Sequence, residues 1–293
     1  FHRLGACHSA LGARDVALGM YAQQLALATQ CGDVEKQQQA HVNIGNVRLD
    51  IADAIAPDGA SERSGDTMRD ELTRAMSERA SECERHAAAR SHAQSLRLAR
   101  ELGSGEETAK AYVNLVVAYD ALGEPRRALG CALAGLSMPG LAQLSARTRA
   151  LLLMHAGQQC VQLLIWDETD ALCVPAPSCA AACAGPASGG PLRRERARGA
   201  LAYLVGASQT ASKSSDAPLM WDAEIAIVKA HSQRGDYAAA SRVARNIERL
   251  RSKRGIDDGR RSALAEMIAE IDDAERRLAD AREQRARLER RAA

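Results

Sequence analysis

Two stretches of the sequence, MYAQQLALATQCGD at residues 20–33 and SHAQSLRLARELGS at residues 91–104, share one pattern and decide the fold. Each reads as a helix rich in Ala and Leu that ends on a glycine, the residue that most readily supplies a left-handed helix cap. The same offset of 71 residues aligns the stretches that follow, AHVNIGN at residues 40–46 and AYVNLVV at residues 111–117. Two successive helices therefore recur in the same order, which predicts an array of repeated helix pairs.

The repeat has the spacing of a tetratricopeptide unit. Leu4-Gly5, Leu11-Gly12, Ala17-Leu18 and Tyr21 stand at the positions where that family places small and large residues of a helix pair. Five such units, of decreasing clarity, lie at about residues 1–33, 37–104, 107–138, 146–208 and 218–253. We therefore predict an all-α fold, a superhelix (solenoid) resembling the tetratricopeptide class, with a long C-terminal helix.

Two valines depart from this repeat pattern. Val116 and Val228 stand where the first helix of a unit is expected to carry a small glycine that lets the paired helices approach closely.

Composition sets limits on the class of partner. The chain has 293 residues, 46% of them hydrophobic and only 3% aromatic, which favours closely packed helices over sheets. A net charge of +2 gives no strong field for nucleic acid or an anionic membrane, and no apolar stretch approaches the roughly 20 residues of a membrane span. The eight cysteines are scattered, which favours a reducing compartment, and a first residue other than Met indicates an internal or N-terminally incomplete piece.

Two insertions and a charged helix complete the predicted organisation. Residues 53–87 are expected to form a mobile loop or a solvated helix, and residues 173–192 a flexible linker, within a repeat domain that spans residues 1–255. Residues 256–293 place apolar side chains at alternating steps of three and four, which predicts a long heptad helix. That helix would either cap the array or support self-association.

The motifs that carry catalysis or metal binding are missing from the sequence. It contains no phosphate-binding loop, no pair of Cys-x-x-Cys motifs, no His-Glu-x-x-His and no Gly-x-Ser-x-Gly. Cys83, His86 and His92 have a spacing that could suit a metal, but we interpret them as incidental residues of an insertion. The prediction is a protein with no catalytic residues, no cofactor and no metal.

Asparagines at one repeated position are the candidates for peptide binding. Asn43 and Asn114 occupy the same place in two units, and Asn46 follows Asn43 by one turn. First helices of repeat arrays line the concave groove, where an amide can pair with the N–H and C=O of an extended peptide. Asp50 and Asp120, near the ends of first helices, could favour a basic ligand. The alternative for the asparagines is that they cap or bridge neighbouring units, and for the aspartates that they are solvated surface charges.

Beyond the general class, which includes Pins-like polarity adaptors, the chain resembles the N-terminal repeats of Tonsoku and Tonsoku-like proteins over about residues 1–255. The resemblance lies in YAQQLALA at residues 21–28, VEKQQQA at residues 34–40 and NIGNVRLDI at residues 43–51. It continues in ARTRALLLMHAG at residues 146–157 and WDETDA at residues 166–171.

This resemblance implies a nuclear scaffold of replication-linked DNA repair and chromatin maintenance that binds histones. The cargo would be a basic histone tail, with Asn43, Asn46 and Asn114 on its backbone and Asp50 and Asp120 near its basic side chains. Direct nucleic-acid or membrane contact is not expected. The alternatives are a Pins-like adaptor in polarity or signalling, with a cytoplasmic location, and an assembly protein that self-associates through its C-terminal helix.

Overall fold

The computed structural model describes residues 1–56, 67–164, 199–254 and 258–292, and their regular structure is entirely helical. The helices are α1 (His2–Ala10), α2 (Arg14–Gln30), α3 (Val34–Ile55), α4 (Thr67–Glu101), α5 (Gly105–Ala121), α6 (Pro125–Leu136), α7 (Ala146–Gln162), α8 (Ala200–Lys213), α9 (Ala217–Gln233), α10 (Tyr237–Arg254) and α11 (Asp258–Ala292), with a short 3-10 turn at Leu141–Gln143. The predicted all-α fold is confirmed. None of these helices is long and apolar enough to cross a membrane.

The described helices form two compact units. The first contains α1 to α6 and ends at Leu144, and the second begins at Ser145 and contains α7 to α11. Within each unit, every helix packs on the next one along the chain, and α11 packs on α10 and α9. The division predicted at residue 255, with α11 as a separate region, stays a prediction.

The turns explain why the helices pair. Gly32 and Gly103, which the 71-residue offset relates, end α2 and α4 in the left-handed conformation with φ of 67° and 66°. The next residue caps the following helix: Asp33 Oδ1 accepts the Lys36 N–H at 3.0 Å, and Ser104 Oγ accepts the Glu107 N–H at 3.3 Å. A left-handed glycine followed by a capping side chain reverses the chain within a few residues, so that neighbouring helices run antiparallel.

A glycine on the first helix of a pair lets a large side chain of the second helix pack against its backbone. A Cβ added to Gly5 would lie 2.6 Å from Tyr21 Cε1, and one added to Gly157 would lie 2.6 Å from Leu204 Cγ. Gly45 faces the His92 ring in the same way. In all three cases the facing side chain fills the space that the missing Cβ of the glycine leaves. Any larger residue in place of the glycine would therefore overpack the helix pair.

The two valines that depart from the glycine pattern are each followed, at the spacing of Gly5 and Tyr21, by a small residue. Tyr21 follows Gly5 by sixteen residues, and the residues sixteen after Val116 and Val228 are Ala132 and Ala244. All four of these Val and Ala side chains are fully buried, at 0% exposure. By equivalence with Gly5 and Tyr21, we infer that each of these valines faces its alanine, so that the combined volume of the facing residues is similar from one repeat to the next.

The 53–87 insertion is helical where the structure describes it beyond residue 66. α4 begins at Thr67 and is 35 residues long, against 22 residues in α3. Ser81 Oγ donates to the Ala52 carbonyl at 2.8 Å near the end of α3, so the part of α4 before Ser81 has little of α3 beside it. Met68, Leu72 and Met76 in that part are 83%, 63% and 66% exposed. Residues 57–66 and the predicted linker at residues 173–192 lie outside the described residues.

Candidate functional site

Asn43, Asn46 and Asp50 lie on one face of α3. Steps of three and four residues keep them within one stripe of a helix with 3.6 residues per turn. Asn46 and Asp50 are exposed and Asn43 is half-buried, and exposed Gln39 continues the stripe toward the start of the helix. The buried side chains of Ile44 and Val47, at the neighbouring positions around α3, belong to the core with Tyr21. The stripe is therefore an outward-facing surface on a rigid helix.

A second stripe on α5 repeats the first. Lys110, Asn114 and Val117 stand 71 residues after Gln39, Asn43 and Asn46, and they show the same sequence of exposed, half-buried and exposed side chains. Because α3 contacts α5 and the two helices hold the same place in their pairs, both stripes belong to one surface. We call these two stripes, with Asp50 and Asp120, the first-helix face.

The two aspartates do not occupy equivalent positions. Asp120 corresponds to Leu49, one residue before Asp50, and one residue is a rotation of about 100° around a helix. Both are exposed and both lie in the last turn or two of their helices. They give the C-terminal end of the first-helix face an acidic character without forming a repeated ladder.

Asn43 has a partner in the neighbouring helix. Its Nδ2 lies 3.1 Å from Nδ1 of His2 on α1, across two repeat units. The His2 ring also lies 6.3 Å, between centroids, from the Tyr21 ring. This contact has the geometry of the bridging role that we considered as the alternative to peptide binding. An exposed hydrogen bond of this kind exchanges readily with water or with a ligand, because its net contribution to stability is only about 1 kcal/mol.

His92 lies behind the first-helix face and is completely buried, at 0% exposure. Neither of its ring nitrogens has a hydrogen-bond partner in the described structure. Burial lowers its pKa from 6.5 to about 4, so the ring is neutral at physiological pH. Cys83 and His86, which share its predicted cluster, are exposed. Across the described residues, no three His, Cys, Asp or Glu side chains come together as metal ligands would.

Two open clefts lie outside the first-helix face. One, of about 360 Å³, is lined by the α1–α2 turn and the end of α3. The other, of about 480 Å³, lies between the start of α10 at Tyr237 and the middle of α11, from Glu270 to Ala281. Sequence reasoning missed both clefts and also the contact between Asn43 and His2, because each depends on how helices of different length are placed side by side.

Comparison with known proteins supports the repeat class. A family model of the tetratricopeptide repeat matches residues 1–35, which contain α1, α2 and the turn that ends at Asp33. No curated protein is significantly similar to the chain. The match covers one repeat, and the helix pairs that follow it are arranged like tetratricopeptide-type repeats, a fold that commonly serves in protein–protein interaction.

Proposed function

We propose that this chain is a non-catalytic scaffold that binds an extended peptide along the first-helix face of its first compact unit, which contains α1 to α6. Asn43 and Asn114 would pair with the peptide backbone, since an amide side chain both donates and accepts hydrogen bonds. Asn46 lies one turn further along the same stripe and would extend the contact. Because α3 and α5 are preformed helices, only the peptide loses conformational freedom on binding.

One observation carries this proposal: the same amide recurs at the same half-buried position in two adjacent repeats. A residue that only serves local packing would not need two hydrogen-bonding groups at the boundary between core and solvent. The repeat spacing of two parallel first helices, about 10 Å for packed helices, matches roughly three residues of an extended chain. Two such amides can therefore contact one peptide at separate backbone positions.

The finer proposal concerns the cargo. We propose a basic peptide, with an unmodified histone tail as the first candidate, in a scaffold of replication-linked DNA repair and chromatin maintenance in the nucleus. Support comes from the resemblance to the Tonsoku-like repeats and from the acidic end of the first-helix face, where Asp50 and Asp120 are exposed. A Pins-like adaptor in polarity or signalling, located in the cytoplasm, is the alternative within the same repeat class.

A second candidate function is self-association through α11. Its first half packs on α9 and α10 and contains the buried Leu264 and Ile271, whereas the described side chains from Arg276 onward are exposed. Leu278, 38% exposed, continues the heptad spacing of the buried residues into this part. A helix that carries its apolar stripe beyond the helices it packs on can pair with another helix.

Calorimetry at physiological salt tests the peptide proposal. The protein is titrated with an unmodified histone tail and with a scrambled peptide of equal charge. We expect selective binding that falls roughly thirty-fold in the Asn43→Ala/Asn114→Ala variant, about 2 kcal/mol for two lost hydrogen bonds. Asn246→Ala is the matched control, because Asn246 is an exposed amide on α10 in the second unit.

The titrations test the identity of the cargo and the location of the binding site separately. Equal binding of the tail and the scrambled peptide would reject the histone cargo. Unchanged affinity in the double variant, with binding intact, would reject the first-helix face as the site.

A further inference from the structure

The cleft at the end of α3 arises from a difference in helix length. α3 has 22 residues and α2 has 17, and the two run antiparallel from the turn at Gly32. Toward the end of α3, Ile51 is partly buried and packs against the core cluster of Ala17, Tyr21, Ile44 and Val47. The last turn of α3, with Ala54 and Ile55, therefore extends past the start of α2 and stands over the α1–α2 turn. A cleft of about 360 Å³ lies between these segments.

The walls of this cleft are apolar although they face solvent. Ala13, Val16, Ile51, Ala54 and Ile55 form most of its lining. Val16 is 45% exposed, Ala54 is exposed, and the two isoleucines are half-buried. Branched side chains arranged around a concave space of this size are typical of a receptor for a small apolar group.

The rim of the cleft on the α3 side is negative. Asp50 precedes Ala54 by one turn on the same stripe, and Asp53 is also exposed, with Arg85 at 3.7 Å from its carboxylate. Arg85 of α4 offsets the charge of Asp53, so among the described residues Asp50 is the carboxylate at this rim without an ion pair, near the negative end of the helix dipole. On the α2 side, the lining contains one positive and one negative residue, Arg14 and Asp15, so that side has no net charge. A cation at the α3 rim would therefore be favoured.

We propose that this cleft receives a bulky aliphatic side chain of the bound peptide, with a lysine or arginine beside it that faces Asp50. The inference rests on the proposed function in one respect. A peptide that crosses from Asn114 on α5 to Asn43 on α3 reaches the cleft if it then turns along α3, where Asn46, Asp50 and Ala54 follow on the same stripe. The cleft thus sets the sequence preference of the scaffold, an aliphatic residue next to a basic one, while the asparagines hold the backbone.

A small amine tests the cleft without any peptide. The full chain, labelled with ¹³C in its Ile and Val methyl groups, is titrated with 3-methylbutylammonium chloride, which carries a branched chain and a cation. We expect saturable shifts of the Val16, Ile51 and Ile55 methyl signals in the millimolar range. Neutral 3-methylbutanol should bind several-fold more weakly, and ammonium chloride alone should leave the methyl signals in place.

Two variants localise the binding. Ala54→Phe fills the cleft from an exposed position, and Val16→Thr makes its wall polar while keeping the shape of the side chain. Both should abolish the saturable shifts while the melting temperature stays close to that of the unmodified chain. Shifts that do not saturate, or that persist unchanged in folded Ala54→Phe, would overturn the proposal.

Selection from a random twelve-residue peptide library separates this inference from the proposed function. Selected peptides should be enriched in Leu, Ile or Met next to Lys or Arg, and selection on Ala54→Phe should lose that enrichment. If the enrichment survives in Ala54→Phe, the cleft is not the determinant although the scaffold still binds peptide. If no peptide is selected at all, the peptide-binding function fails, and the amine titration alone decides whether the cleft binds an aliphatic cation.

Discussion

At the scale of single residues, His92 is the most unusual side chain of the first unit. A fully buried imidazole normally bonds at least one ring nitrogen, and this one bonds neither within the described residues. The ring fills the space left by Gly45, where its shape serves the packing and its polarity costs free energy. The free energy of unfolding should therefore depend on pH through this residue.

We predict that the chain loses stability as the pH falls from about 6.5 to about 4. An unfolded chain protonates His92 near pH 6.5, whereas burial lowers the pKa in the folded protein to about 4. Within that window the unfolded state binds more protons, so His92 alone removes about 3 kcal/mol by pH 4 and nothing above pH 6.5. Urea unfolding at pH 7.0 and pH 4.5 measures the difference.

The matched variant is His92→Leu, because Leu204 faces Gly157 at the equivalent place in the second unit. Leucine removes two unpaired nitrogens, so we expect equal or higher stability at pH 7 and a weaker loss on acidification. Burial also lowers the pKa of His41 and of His231, and both remain in the variant. The difference between the two proteins thus isolates His92, and identical pH profiles would contradict its assignment.

At the scale of helix pairs, the sizes of two facing residues should compensate for one another. We therefore predict that substitutions at Gly45 and His92 do not have additive effects on the free energy of unfolding. Gly45→Val should destabilise the chain by about 3 kcal/mol, because a Cβ at this position collides with the His92 ring. His92→Ala alone should cost about 2–4 kcal/mol through the cavity that it leaves. The double variant reproduces the combination of sizes that we infer for Val116 and Ala132, so we expect stability within about 1 kcal/mol of the unmodified chain.

Denaturant unfolding of the two single variants and the double variant gives the coupling energy directly. Gly19→Val is the control for valine in a helix, since nothing lies within 4 Å of a Cβ added at Gly19. Losses that simply add in the double variant would mean that the two positions do not share one space.

Much of this element-level organisation could be predicted from the sequence, because glycine turns and Ala/Leu spacing are local signals. The 71-residue offset alone places Asn43 and Asn114 in register. Val116 and Val228 depart from the glycine pattern, and the sequence accounts for them only when each valine is read together with the alanine sixteen residues later. The contact of Asn43 with His2, and the cleft beside Ile51, depend on helix ends meeting in space, which no local pattern encodes.

At the scale of the whole molecule, the question is whether the chain acts alone. A scaffold that binds peptide on its first-helix face needs only one copy of the chain, whereas association through α11 needs two. We predict a monomer in light scattering up to concentrations of about 100 μM, because Leu278 is the one large hydrophobic residue exposed in the described part of α11 and a helix pair requires several.

Leu278→Ser gives the comparison for this measurement. If the unmodified chain forms a dimer that the variant reduces to a monomer, α11 is an association helix and the assembly role replaces the solitary scaffold. If both proteins stay monomeric, the peptide-binding proposal is the one that remains.

The exchange of volume between facing helices also governs which segments of this protein could be transplanted. A second helix that brings a tyrosine, as α2 does at Tyr21, can be grafted beside a first helix that carries glycine at the facing position. The same graft beside α5 would collide with Val116, whereas α10, which brings Ala244, would fit there by size. A first helix with glycine at the facing position therefore requires a second helix with a large residue there, and a first helix with valine requires a second helix with alanine. In libraries of recombined repeats, we expect folded chains mainly where the two helices of each pair meet this requirement.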